Sequence, residues 1–183
     1  PDEVCSSYLF NWNCPNEKEL HKAAVDYVQK IHHFDVRRVD RCLSYFGLEA
    51  RVPLLDPSFI KAYWKIPQSQ RTPQYKGIEK WWLRKAFEKY DIIPNEVLWR
   101  KKEAFSDGIS SISNPLHVQI QDFCGNFFNE PSSLQAENKY YKHLYKSFYN
   151  NTNTIPHYWQ PKWHEYNDNS LIDPSARILS VYN

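Results

Sequence analysis

Apolar residues in this sequence recur at helical spacing in segment after segment, with no sustained strand-like alternation. That feature confines the chain to helix-on-helix packing, or to the helical part of a domain whose sheet is made by other residues. In "CPNEKELHKAAVDYVQKIHHF", Leu20, Ala24, Tyr27, Val28 and Ile31 keep the period, with Asn16 as N-cap and Glu19 three residues on. "DVRRVDRCLSYFG" follows at once and stops at Gly47, a natural residue just past a helix end. One bent helix or two would both fit. Asp56 and Pro57 cap and open a helix carrying Phe59, Ile60, Tyr63 and Trp64, which ends before Pro67. After the polar loop "QSQRTPQYKG", the stretch "IEKWWLRKAFEKY" predicts a helix with Ile78, Trp82, Leu83 and Ala86 on one side. Pro94 and Pro115 each open a further helix, and "SLQAENKYYKHLYKSFYNN" makes the last one.

Composition narrows the function classes. With 183 residues and 42% hydrophobic content, the chain fits one domain with a core of its own. Aromatics at 16% argue against disorder. A net charge of +2 without a basic run gives no footprint for nucleic acid. No apolar stretch is long enough to span a membrane, and no signal peptide opens the chain. Cys5, Cys14, Cys42 and Cys124 are widely spaced and read as free thiols; with His21 they lack the close pairing of a zinc site. The four Gly are too dispersed for a phosphate-cradling loop. There is no Met, and the abrupt opening "PDEVCSSYLF" reads as the start of a fragment or processed product.

Of the charge clusters, two admit two readings each. In the second helical segment Val36, Val39, Leu43 and Phe46 form an apolar stripe expected to be buried. Asp35 and Arg38 lie beside that stripe, either as an ordinary i,i+3 ion pair or as an acid–base pair at a pocket rim. Glu49 and Arg51, by themselves, read as a structural motif that holds a loop. In "WRKKEAFSDG", Ser106-Asp107-Gly108 reads as turn chemistry, with Gly where positive φ is wanted. The preceding cations lie between Trp99 and Phe105, which pin part of the run against the core. A Lys held this way presents its ammonium to a phosphate or a developing anion.

Taken in order, "FDVRRVDR...GLEARVPLLD", "KGIEKWWLRKAF", "IPNEVLWRKKEAFSDGI" and "HYWQPKW...DPSAR" resemble the C-terminal synthetase domain of glutamine-hydrolysing asparagine synthetases. The resemblance covers nearly the whole chain and is weakest over residues 114–154. It implies a mainly helical piece, residues 1–183, of an α/β synthetase domain of the adenine-nucleotide-hydrolase-like (PP-loop) class. By this resemblance "PDE" closes a loop of the form S-G-E-G-[SP]-D-E. The pyrophosphate loop, its parallel sheet and the glutaminase domain are then expected upstream.

The family reaction uses ATP and Mg²⁺ to adenylate the side-chain carboxylate of aspartate, after which ammonia derived from glutamine attacks. The resemblance places Lys102 at the family's active-site Lys, facing the α-phosphate or oxyanion, and leaves Lys101 at a variable position. It places Asp2 on the Mg²⁺ and pyrophosphate side, Asp35 and Arg38 at an acid–base pair near the substrate, and Glu49 and Arg51 at a supporting pair. Asp56, Asp107 and Arg177 are expected to be structural. The resemblance further implies a cytoplasmic enzyme and allows a homodimer of the full protein, with no nucleic-acid or membrane partner. Two alternatives stay open. One is a relative that adenylates another carboxylate, such as a β-lactam-forming synthetase; the other is a non-catalytic helical interaction module.

Overall fold

The computed structural model describes residues 1–111, 113–151 and 163, without the side chains of Ser106 and Asp107. "HYWQ", "DPSAR" with Arg177, and the side chain of Asp107 therefore lie outside the described residues. The described elements are helices α1 (Glu17–Lys30), α2 (Asp35–Tyr45), α3 (Pro57–Trp64), α4 (Trp81–Glu88), α5 (Asn95–Leu98), α6 (Phe105–Ile109), α7 (Leu116–Phe128) and α8 (Leu134–Phe148), joined by short 3₁₀ turns. No strand occurs among the described residues, as the helical periodicity requires. The chain divides into two compact units, Pro1–Lys102 and Glu103–Asn183.

In the first unit the caps form where the sequence places them. Asn16 Oδ1 accepts from the backbone N–H groups of Lys18 and Glu19, at 3.1 and 3.0 Å. Asp56 Oδ1 accepts from Ser58 N at 2.7 Å, and these backbone bonds hold its pKa below the ordinary carboxylate value. Each cap satisfies helix N–H groups that would otherwise lack partners. A 3₁₀ turn at Ile31–His33 separates α1 from α2, so the two segments are distinct helices. α2 ends in a Schellman motif: Leu48 N donates to Leu43 O at 2.9 Å and Gly47 N to Ser44 O at 3.0 Å, with Gly47 at φ 67°.

The core of this unit forms around its first residues. Val4 and Cys5 are buried with Tyr63, and Val28, Leu55, Phe59, Ile60, Trp64, Ile66 and Trp82 pack against them. Trp64 Nε1 donates to the Val4 carbonyl at 3.0 Å. Burial pushes the Cys5 thiol up to about 11, so it stays protonated and inert near neutrality. All four cysteines are free, as expected. The buried turn also contains Ser6 at φ 53°, a left-handed conformation that costs a residue with a Cβ on the order of 1 kcal/mol. Ser6→Gly removes that cost and is expected to stabilise the protein by roughly 0.5–1 kcal/mol in denaturant titrations. A destabilised variant would mean that the Ser6 side chain is worth more than the strain.

Four expectations are corrected. α2 has no fully buried residue, and Val39 and Phe46 of its apolar stripe are exposed. Periodicity reports which face of a helix is apolar, and the described residues do not cover this one. α4 begins at Trp81, later than the sequence pattern suggests, because Ile78 is extended and Lys80 is left-handed at φ 58°. Residues Ser106–Gly108 lie inside α6, and the glycines with positive φ are Gly47 and Gly77. Gly108 N donates to Ala104 O at 3.0 Å, closing a helical turn in place of the expected left-handed one. Phe105 pins nothing, being 82% exposed.

In the second unit α7 and α8 form a helical hairpin. Gln121, Cys124 and Gly125 of α7 and Leu134 and Ala136 of α8 are buried. Phe123 and Phe127 pack edge-on against Tyr140, with ring centroids 5.2 and 5.1 Å away. The connection turns at Asn129 (φ 55°), and Ser133 caps α8 by accepting from Ala136 N at 3.1 Å.

Candidate functional site

Buried turns at the start of the chain bring charge together. Cys5 N donates to Pro1 O at 2.9 Å and Ser7 N to Asp2 O at 3.0 Å, which folds Asp2 back over the turn. The Ser7 hydroxyl donates to Asp2 Oδ1. Two ammonium groups converge on the same carboxylate: Lys80 Nζ lies 2.6 Å from Oδ1, and Lys102 Nζ lies 3.5 Å from Oδ2. All three side chains are withdrawn from solvent, Lys102 most of all at 12% exposure. Burial by itself would raise the pKa of Asp2. The charges of Lys80 and Lys102, with hydrogen bonds from Lys80 and Ser7, outweigh that and hold it below the ordinary value. Asp2 is therefore ionised, and the cluster carries one net positive charge.

Beside it lies a second acidic group. Glu3 is buried and accepts a hydrogen bond from the Tyr8 hydroxyl. Burial, followed by the charge of Glu3, raises the Tyr8 pKa far above its ordinary range, and the charges of Asp35 and Asp2 push the same way. The Tyr8 phenol therefore stays protonated and donates to Glu3. Asp35 itself pairs with Arg38, which is largely exposed.

Of the residues singled out in the sequence, Asp2 and Lys102 meet directly. Asp35 and Arg38 pair with each other on α2 as i,i+3 neighbours, with Arg38 largely in solvent. Glu49 and Arg51 pair at 3.0 Å, with both side chains in solvent. Lys101 is exposed, unlike Lys102. Sequence reasoning missed Lys80, Ser7, Glu3 and Tyr8. Lys80 sits inside "IEKWWLRK", where helical spacing treats it as one more solvent-facing cation. Its left-handed backbone, which points to a special role, has no local sequence signal.

The donor chemistry suits an anion. Two partly buried lysines are point charges with rotatable N–H donors, and a phosphate can take over the ion pairs that Asp2 now holds. Among the described residues no group of three or more His, Cys, Asp and Glu could hold a metal ion. The single carboxylate of Asp2 fits Mg²⁺ only in the manner usual for that ion, with substrate phosphates and water completing the shell.

The family model described as asparagine synthase matches residues 7–171. The chain is 34% identical over 194 residues to the asparagine synthetase (glutamine-hydrolyzing) of Bos taurus, and 35% identical over 196 residues to that of Gallus gallus. It is 34% identical over 194 residues to that of Homo sapiens. Each alignment covers 99% of this chain but 34% of the relative, so the chain spans about a third of the length of the curated relatives it matches. Lys80, Lys102, Asp35, Arg38, Glu49 and Arg51 lie inside the matched region, and Asp2 lies just before it. On the extent of that match, the chain belongs to the asparagine synthase family.

Proposed function

We propose that this chain, residues 1–183, is the C-terminal part of a synthetase domain that amidates aspartate to asparagine at the expense of ATP, with ammonia from glutamine. The observation that carries this reading is the convergence of Lys102 and Lys80 on Asp2 in a partly buried site. A reaction between two anions, an aspartate carboxylate and a nucleotide triphosphate, needs fixed cations where charge accumulates.

In the first step a carboxylate oxygen of the substrate forms a bond to the α-phosphorus. The bond to the bridging oxygen breaks, and pyrophosphate leaves with the electron pair. Lys102 neutralises charge on the α-phosphate, and Lys80 does so on the departing pyrophosphate. In the second step the nitrogen of ammonia attacks the β-carbonyl of the β-aspartyl-adenylate. The resulting oxyanion collapses, AMP departs, and the nitrogen sheds a proton. Lys102 faces that oxyanion. Asp2 would be the residue of this chain that holds Mg²⁺, and the ion, when bound, would supply further positive charge. Asp35 and Arg38 orient the substrate end of the site, and Glu49 and Arg51 support it from the surface. No helix among the described residues is long and apolar enough to cross a membrane; a cytoplasmic location belongs to the proposal.

The test is product stoichiometry in the full-length gene product. Each asparagine formed from aspartate and ATP is expected to accompany one AMP and one pyrophosphate. Formation of ADP and orthophosphate would rule out the adenylate route. Turnover of a different carboxylate with aspartate inert would move the chain to the relatives that adenylate other substrates.

A further inference from the structure

Arg84, on α4, makes three hydrogen bonds to backbone carbonyls from two separate segments. Its Nε donates to Glu79 O at 2.8 Å. Its Nη1 donates to Leu98 O and, at 3.1 Å, to Arg100 O. Glu79 immediately precedes Lys80, and Arg100 lies two residues before Lys102. One guanidinium thus ties together the two stretches of backbone that deliver the two ammonium groups to Asp2. Neither stretch is held by regular structure at the lysine itself. Lys80 is left-handed, and Lys102 lies in the irregular segment after α5. A strained conformation of this kind persists only where its surroundings over-determine it. Arg84 supplies part of that constraint, and the buried Glu79 side chain supplies more by accepting from Trp12 Nε1.

We propose that Arg84 is a positioning residue: it sets Lys80, which meets the pyrophosphate, and Lys102, which meets the α-phosphate, at the separation that receives the polyphosphate of the nucleotide. The proposal rests on the synthetase reading above. The planar fork of arginine is suited to the task because its donors are fixed relative to one another, whereas lysine offers one nitrogen. A guanidinium that bridges carbonyls on both sides cannot be replaced by charge alone.

The test uses the full-length gene product and inorganic pyrophosphate as the probe. Arg84→Lys keeps the charge and loses the fork. It is expected to weaken pyrophosphate binding, read by calorimetry, about 10- to 100-fold, as is usual when a group that orients a site is removed. The unfolding midpoint is expected to stay close to the parental one. In a Lys80→Ala background, Arg84→Lys is expected to cost clearly less than it does alone, because one of the two groups it positions has already gone. Affinity within about two-fold of parental in Arg84→Lys overturns the proposal, and so does a strictly multiplicative loss in the double variant. Arg84→Gln is the second variant; if neither folds, Arg84 is a structural residue and the proposal fails. ATP–pyrophosphate exchange is read in parallel on the parental protein. Exchange that ignores aspartate sinks the amidation reading, while the pyrophosphate affinities still decide the role of Arg84.

Discussion

Replacing Lys102 by Ala is expected to lower kcat/KM for aspartate amidation by about 100- to 1,000-fold, the usual effect of removing one preorganised charge at a developing anion. The side chain is partly buried and faces Asp2 Oδ2 at 3.5 Å, so its loss leaves a gap that water fills poorly in electrostatic terms. Lys80 remains on Oδ1 and keeps Asp2 ionised, which limits any collapse of the turn. The fold is therefore expected to survive, with circular dichroism and the unfolding midpoint near parental. Lys101→Ala is the internal control. That side chain is exposed, and its loss is expected to change kcat/KM by no more than about two-fold. Equal effects at both positions would mean that the basic run acts only through its summed charge.

Gly125→Ala is expected to destabilise the second unit by about 1–3 kcal/mol, the range for overpacking a tight site. A Cβ at this position would sit 2.8 Å from the Glu130 carbonyl oxygen and 3.0 Å from Ser132 N. Both are backbone atoms in the turn between α7 and α8, and they cannot move aside as a flexible side chain could. Glu130 N donates to Gly125 O at 2.9 Å, so the close approach is held by a hydrogen bond that the new methyl would strain. Alanine's better helix propensity offsets only part of this, about 1 kcal/mol. Gly108→Ala is the contrasting case. Its nearest neighbour is the Glu103 side chain at 3.7 Å, an ordinary contact, and its stability should be unchanged or slightly raised. The comparison is read from denaturant midpoints. A Gly125→Ala protein as stable as the parent would mean that the turn relaxes without cost.

What could be read in advance follows from how local each cause is. The caps at Asn16 and Asp56 and the stop at Gly47 depend on a few adjacent residues, so composition and spacing reveal them. The start of α4 depends on Glu79 meeting Trp12, sixty-seven positions away, and on Arg84 reaching back to the Glu79 carbonyl. Helical spacing carries no trace of either. The stripe on α2 shows the opposite failure: its period is legible, but spacing alone does not say whether an apolar face is covered, and the described residues leave Val39 and Phe46 exposed. At the site, Asp2 and Lys102 were singled out through family resemblance, since pattern alone makes Lys102 one of three neighbouring cations. Lys80 was missed because its importance comes from an uncommon backbone angle that places its ammonium on Asp2.

The central claim is that Asp2, Lys80 and Lys102 form the wall that receives the polyphosphate during activation of aspartate. ATP–pyrophosphate isotope exchange by the full-length gene product tests this most directly, because it reads the adenylation step without ammonia. The account predicts exchange that requires aspartate and falls about 100-fold or more in Lys102→Ala. Exchange at the parental rate in Lys102→Ala, or exchange that proceeds equally well without aspartate, would contradict it.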